Sequence, residues 1–256
     1  MALFKDFSKF GLENLANLTL VDKPSNSSSS NLNELTEADL IYQRKVHCPI
    51  CNKDFYSSAI KSGKNQLQNI DEDLRTHYSI VDPMLYDVIS CPCGHTALNA
   101  SFATLLPTQR AAVRTKICPN YFPIPIEEVR SINYALDLYQ LALAECLIRN
   151  GKNIEKAVLC LRISWLYQDL KQFDDETEFI KNAYECFKLS LDTDNYPVLG
   201  FDFHKSVYTT SVLSYKISDY STSLRLLSSL IIDVGVHPKL KDRAMELKTK
   251  INKFHK

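Results

Sequence analysis

Four of the eight cysteines fall in two short runs, Cys48-Pro49-Ile50-Cys51 and Cys91-Pro92-Cys93-Gly94-His95. A Cys-x-x-Cys turn puts two thiolates on one side of a tight loop, and two such loops can bring four sulfurs to about 2.3 Å from a tetrahedral Zn2+ ion. After the second cysteine of such a knuckle the chain commonly turns through a left-handed conformation. Gly94 adopts it freely, and Asn52 is among the few other residues that tolerate it. The second pair is Cys-x-Cys, one residue short, and 39 residues separate Cys51 from Cys91. The separation matters little, because each doubling of a loop costs only about 0.6 kcal/mol in closure entropy. The shortened pair matters more. In an extended stretch residues i and i+2 share a face, so Cys91 and Cys93 can both face one ion, and the same geometry aims His95 at it. Two ligand sets follow: Cys48, Cys51, Cys91 and Cys93, or a Cys3His set in which His95 replaces one of the last two.

The remaining candidates are weaker. A redox dithiol of the thioredoxin kind requires a Cys-x-x-Cys at a helix N-terminus within a βαβ pattern, and no such pattern surrounds Cys48. Cys146, Cys160 and Cys186 lie in runs of helical period beside Leu, Val and Phe, where cysteine is a small core residue. Cys118 precedes a proline and is a reserve ligand, whereas His77, His204, His237 and His255 are isolated. Eight cysteines in 256 residues are far too few for a disulfide scaffold, which suits metal binding in a reducing, cytoplasmic compartment.

Composition removes several function classes. The 30 Lys+Arg balance 30 Asp+Glu, so no global electrostatic footprint points to nucleic acid or anionic lipid. The six glycines never come close enough together to spell a dinucleotide-binding or P-loop signature, and neither GxSxG nor HExxH occurs. No apolar run reaches the roughly 18 residues that would suggest a transmembrane segment. Lys5, Asp6, Lys9 and Glu13 interrupt the first twenty residues where a secretory signal would be continuous and apolar.

The elements that must position the cysteines divide the chain in three. Residues 1–34 hold a Leu/Phe-rich segment of helical spacing, read as a short packed helix or a docking peptide, and a Ser/Asn-rich linker. Residues 35–125 read as a zinc-ribbon-like domain of turns and short strands carrying both cysteine runs. Residues 126–256 change to long apolar-periodic segments with few Gly or Pro. The first of these helices ends at Asn150-Gly151, and others begin near Asn153, Asp174, Asp202, Asp219 and after Pro238. Small residues (Ser164, Ser211) followed by turn aromatics (Phe173, Tyr220) resemble the tetratricopeptide repeat, although 47 residues rather than about 34 separate the two aromatics. The expected fold is therefore α+β: a small zinc-ribbon-like part, then an all-α tetratricopeptide-like part.

The segments Cys48-Pro-Ile-Cys-Asn-Lys-Asp-Phe55, Asp82-Pro-Met-Leu-Tyr-Asp-Val88 and Cys91-Pro-Cys-Gly94, followed by a helical half, resemble the bacterial family DUF2225. The resemblance covers about residues 45–250. It implies a metal-binding N-terminal part of the CPxCG type ahead of tetratricopeptide-like helices, and it supplies no established reaction. Three functions fit these residues. One is a non-catalytic adaptor, in which four thiolates on Zn2+ leave no open coordination site and the helices offer a groove to a protein or peptide. Another is a nucleic-acid-binding ribbon: residues 41–120 hold nine Lys/Arg against six acidic residues, and Lys53, Phe55, Tyr56, Lys61 and Lys64 interleave cations with aromatics. The last is an enzyme with a Cys2His zinc site whose fourth position, held by water, stays reactive.

Overall fold

The computed structural model describes residues 35–61 and 63–254. The helix or docking peptide and the linker expected over residues 1–34 lie outside the described residues. A short helix α1 (Glu37–Leu40) leads into a hairpin of β1 (Ile41–His47) and β2 (Asp54–Ile60), in register from Ile41 opposite Ile60 to His47 opposite Asp54. A second hairpin pairs β3 (Leu67–Ile70) with β4 (Thr76–Tyr78). After a 3-10 turn at Pro83–Tyr86, β5 (Val88–Ser90) and β6 (Thr96–Leu98) form the third. Helix α2 (Pro107–Lys116) opens with proline, whose missing N–H is no loss at a first helical position.

Six longer helices follow: α3 (Ile132–Ile148), α4 (Asn153–Asp169), α5 (Phe173–Thr193), α6 (Phe203–Lys216), α7 (Tyr220–Ile232) and α8 (Pro238–Phe254). Each packs on the next in chain order. Ser131, Asp202 and Asp219 cap α3, α6 and α7 by accepting the backbone N–H three residues on, which satisfies a donor that the first turn leaves free. Three helix ends close alike. Asn150, Lys171 and Ser218 adopt positive φ, and the next residue's N–H returns to a carbonyl five residues earlier, as in Gly151 N to Cys146 O at 2.8 Å. The Asn150-Gly151 signal is therefore a true helix stop, with the left-handed residue at Asn150.

Helix α4 is buried nearly all round, from Ile154 through Leu166, because α3 covers one side and α5 another. Every residue from Ser206 to Ser214 on α6 is buried. Its small hydroxyl residues allow close approach of neighbours, and Ser206, Thr210, Ser211 and Ser214 return their protons to carbonyls one turn back, as Thr210 does to Ser206 O at 2.7 Å. Ser223 of α7 reaches across to Ser211 O at 2.8 Å.

Strands and helices share a core. Val88 and Leu98 of the third hairpin belong to the cluster formed by α3, α4 and α5. The change of composition at 125/126 thus falls inside one compact unit that begins at Thr36. The order of hairpins first and helices after matches the α+β expectation. The turn plug expected at Phe173 is not formed. That ring is 62% exposed at the start of α5, and the aromatic contact between α4 and α5 is made by Tyr167 and Phe179, with ring centroids 5.5 Å apart. Phe173 at the first position of α5 thus faces solvent, whereas Tyr220, at the first position of α7, packs on Tyr215 with ring centroids 5.9 Å apart. Among the described residues no helix is long and apolar enough to cross a membrane.

Candidate metal centre

Both cysteine runs are hairpin turns. The first joins β1 to β2. Cys48 N donates to Lys53 O at 3.0 Å, Asn52 N to Cys48 O at 3.0 Å, and the Ile50 N–H points at the Cys48 sulfur at 3.4 Å. Asn52 turns the chain at φ 58°, as the knuckle requires. The second run joins β5 to β6, so Cys91 and Cys93 sit in a tight turn and not in an extended stretch. Cys91 N donates to His95 O and Gly94 N to Cys91 O, both at 2.8 Å. Gly94 has φ 100°, and a Cβ there would meet the Tyr121 ring at 2.8 Å.

These two turns face each other. The sulfurs of Cys48, Cys51, Cys91 and Cys93 all lie within 4.8 Å of one another, and this is the one such donor cluster among the described residues. Cys48 to Cys93 and Cys51 to Cys91 are each 3.7 Å, and all four thiols are free. A tetrahedron with metal–sulfur bonds of about 2.3 Å has sulfur–sulfur edges of about 3.8 Å, which these two pairs match, so the donor set can hold a metal ion. Cys48 and Cys91 are buried, whereas Cys51 and Cys93 are partly accessible. Hydrogen bonds from the Cys48 and Cys91 thiols, joined by the His95 backbone N–H, pull the Cys93 thiol well below its ordinary range. Cys91 moves the opposite way, chiefly through its contacts with Cys48 and Cys93. Four crowded sulfurs resist becoming four anions without a cation among them.

His95 is turned away from the sulfurs, contrary to the expectation that it shares their face. It is fully buried and stacks on Phe102 with centroids 4.2 Å apart. Nδ1 meets the Glu145 carboxylate at 2.8 and 3.0 Å, and Nε2 meets Phe102 O at 2.9 Å. Both partners are acceptors, so the ring must carry both protons and has no lone pair to give a metal. Burial alone would lower the imidazole pKa, but Glu145 outweighs it and holds the group above its ordinary value.

Glu145 of α3 also accepts from Thr96 N at 2.7 Å, and Arg149 Nε lies 3.7 Å from it. Arg149 pairs in turn with Glu155 of α4, which accepts from Ser101 at 2.7 Å. The second cysteine turn is thereby tied through His95 and Thr96 to the first two long helices. The first turn is tied to α2, where Arg114 donates to Ile50 O at 2.8 Å. Spacing does not reveal these supporting residues. One signal was present: Glu145 is a lone acid within the apolar run Leu141–Ile148.

A family model described as an uncharacterized protein conserved in bacteria, DUF2225, matches residues 41–251. The chain belongs to the DUF2225 family. No curated protein and no solved structure matches it. Within this DUF2225 chain the matched span covers both cysteine turns, the helices α3 to α7 and α8 as far as Ile251. Cys118 packs beside Cys93 outside the cluster of four, and burial pushes its thiol up to about 11. Cys146 and Cys160 are buried among apolar neighbours of α3 to α5. Of the residues that suggested a nucleic-acid surface, Phe55 packs on Phe102 with centroids 5.9 Å apart, and Lys61 donates to Asp39 O at 2.8 Å. Tyr56 is exposed.

Proposed function

We propose that this protein is a non-catalytic, zinc-binding adaptor. In this reading Cys48, Cys51, Cys91 and Cys93 hold one structural Zn2+ as a ribbon-like centre, and the tetratricopeptide-like helices carry a binding surface for a protein or peptide. The observation that carries it is the closed donor set: four sulfurs in reach of one point, with the nearby imidazole committed to Glu145. Four thiolates fill a tetrahedral ion, so no water is bound and none is activated. Soft sulfur donors in that geometry favour zinc or iron over magnesium or calcium. The chemistry the ion supplies is cohesion, since metal binding to such a site is worth about 10–16 kcal/mol at neutral pH. The residues around it orient sulfurs: backbone N–H groups of Ile50 and His95 point at Cys48 and Cys93.

The inward-facing Phe55 and the engaged Lys61 favour the adaptor over the nucleic-acid ribbon, because stacking surfaces need free rings. The test is spectroscopic. The cobalt-loaded chain is expected to show the absorption of a four-thiolate tetrahedral ion and no change on adding azide. An azide-dependent spectrum would mean an open coordination position and would favour the enzyme reading. Retention on an oligonucleotide that falls steeply with salt would favour the nucleic-acid reading.

A further inference from the structure

Helices α4 and α5 pack antiparallel, and their seam carries two cysteines outside the metal centre. Asn153, at the start of α4, donates from Nδ2 to Thr193 Oγ1, at the end of α5, at 3.1 Å. Toward the other end Tyr167 meets Phe179 with ring centroids 5.5 Å apart. Seven residues make nearly two helical turns, so positions seven apart lie on one face. Cys160 is seven residues from both Asn153 and Tyr167, and Cys186 is seven from both Phe179 and Thr193. The two contacts fix the register between them, and Cys160 faces Cys186 midway along the seam.

Small residues flank the pair on both helices. Ala157 and Ser164 of α4 and Ala183 and Ser190 of α5 are all buried, and within one residue of that register Ala157 falls beside Ser190 and Ser164 beside Ala183. Both serines turn their hydroxyls back onto their own helices, Ser164 to Leu161 O at 2.7 Å and Ser190 to Phe187 O at 2.6 Å, so no long side chain holds the backbones apart. Helices that meet through small side chains run about 8 Å apart. With Cα atoms about 2.3 Å from each axis, facing Cα atoms come within the ~4.4–6.8 Å that a disulfide spans.

The two thiols are unequal. Cys160 is 4% exposed, whereas Cys186 is partly accessible. The Cys160 thiol donates to Cys186 and, with Lys156 nearby, holds it below its ordinary range against burial, while Cys160 itself moves up. The accessible sulfur is the nucleophile and the buried one resolves it.

We propose that Cys160 and Cys186 are a peroxide-sensitive dithiol that closes to a disulfide across the α4–α5 seam and reopens with a small thiol. The Cys186 thiolate attacks the terminal oxygen of a hydroperoxide; the O–O bond breaks, Cys186 becomes a sulfenic acid, and the departing oxygen takes a proton from water. Cys160 then attacks the Cys186 sulfur, the S–O bond breaks, and hydroxide leaves as water with the Cys160 proton. Two thiols and one hydroperoxide give one disulfide, one alcohol and one water, or two waters from hydrogen peroxide. Two molecules of a small thiol restore the pair and leave as their own disulfide.

The test treats the full chain, as purified, with hydrogen peroxide and maps its tryptic peptides by mass spectrometry. Before treatment, iodoacetamide is expected to label Cys186 at least about tenfold faster than Cys146. After treatment, residues 157–162 should be joined to residues 182–188, and dithiothreitol should separate them. In Cys160→Ser, dimedone should trap a sulfenic acid at Cys186 and no bridge should form. Equal labelling of Cys186 and Cys146, both thiols still free after peroxide, a bridge from Cys160 to Cys146, or oxidation confined to Cys48, Cys51, Cys91 and Cys93 would each overturn the proposal. Should Cys160→Ser not fold, the wild-type peptide map decides by itself.

Discussion

Removing the Glu145 carboxylate should reach both halves of the molecule at once. In Glu145→Ala, the His95 Nδ1–H and the Thr96 N–H lose their acceptor in a region where Glu145 is 1% and His95 0% exposed. Each stranded buried donor costs about 1–3 kcal/mol, and breaking a buried ion pair from one side costs about 3–5 kcal/mol. The two descriptions overlap, so the expected loss is about 4 kcal/mol. With a urea dependence of about 2 kcal/mol per molar, the unfolding midpoint should fall by about 2 M. Glu145→Gln keeps one acceptor oxygen and loses the charge, so it should cost about 1–3 kcal/mol. His95 also points its backbone N–H at the Cys93 sulfur, so loosening it should weaken metal binding by about ten- to a hundredfold, as loss of an outer-shell contact does. Urea melts of the zinc-loaded chains and competition with a chelator give both numbers. The exposed Glu178→Ala serves as control and should change stability by less than about 0.5 kcal/mol. A midpoint for Glu145→Ala within the range of that control would refute the coupling of the cysteine turn to the helices.

Other consequences are equally specific. Gly94→Ala should cost at least about 1–2 kcal/mol, since its φ suits only glycine and the new Cβ meets Tyr121, whereas Asn52→Gly should stay within about 0.5 kcal/mol; thermal melts decide both. Phe102→Ala should cost about 3–5 kcal/mol, because the ring is 2% exposed between His95 and Phe55, and calorimetry would measure it. Burial opposes ionisation of Asp73, yet Lys216, Trp165 and the Arg75 N–H hold its carboxyl below the ordinary value. A depressed carboxylate stabilises above its unfolded pKa of about 3.9 and loses that contribution as pH falls through the lower folded value. Glu176 of α5, raised mainly by burial, protonates first and leaves Lys216 to Asp73. Trp165 emission should therefore hold steady from pH 7 to about 4 and change only below it; a transition near pH 6 would contradict this.

The candidate site was legible because its information is local. Two cysteines two or three residues apart, followed by Gly94 or Asn52, define a turn whatever lies elsewhere, and the helix starts at Asp202 and Asp219 announce themselves by their caps. Long-range pairing was not legible. His95 was expected beside the sulfurs because it shares their register, but a carboxylate fifty residues away on α3 captured it. Nothing in the sequence singles out the acidic run Asp71–Asp73, since its cations lie on α6 and α8, more than 140 residues on. Phe173 carried a turn aromatic's spacing without its packing, because Tyr167 and Phe179 fill that contact.

Elemental analysis of the purified chain, with its reactive thiols counted before and after chelation, tests the metal centre most directly. The account predicts one zinc per chain, Cys51 and Cys93 slow to alkylate until the metal is withdrawn, and loss of the zinc in Cys48→Ser. Metal-free protein whose Cys51 and Cys93 alkylate at the same rate with and without chelator would contradict it.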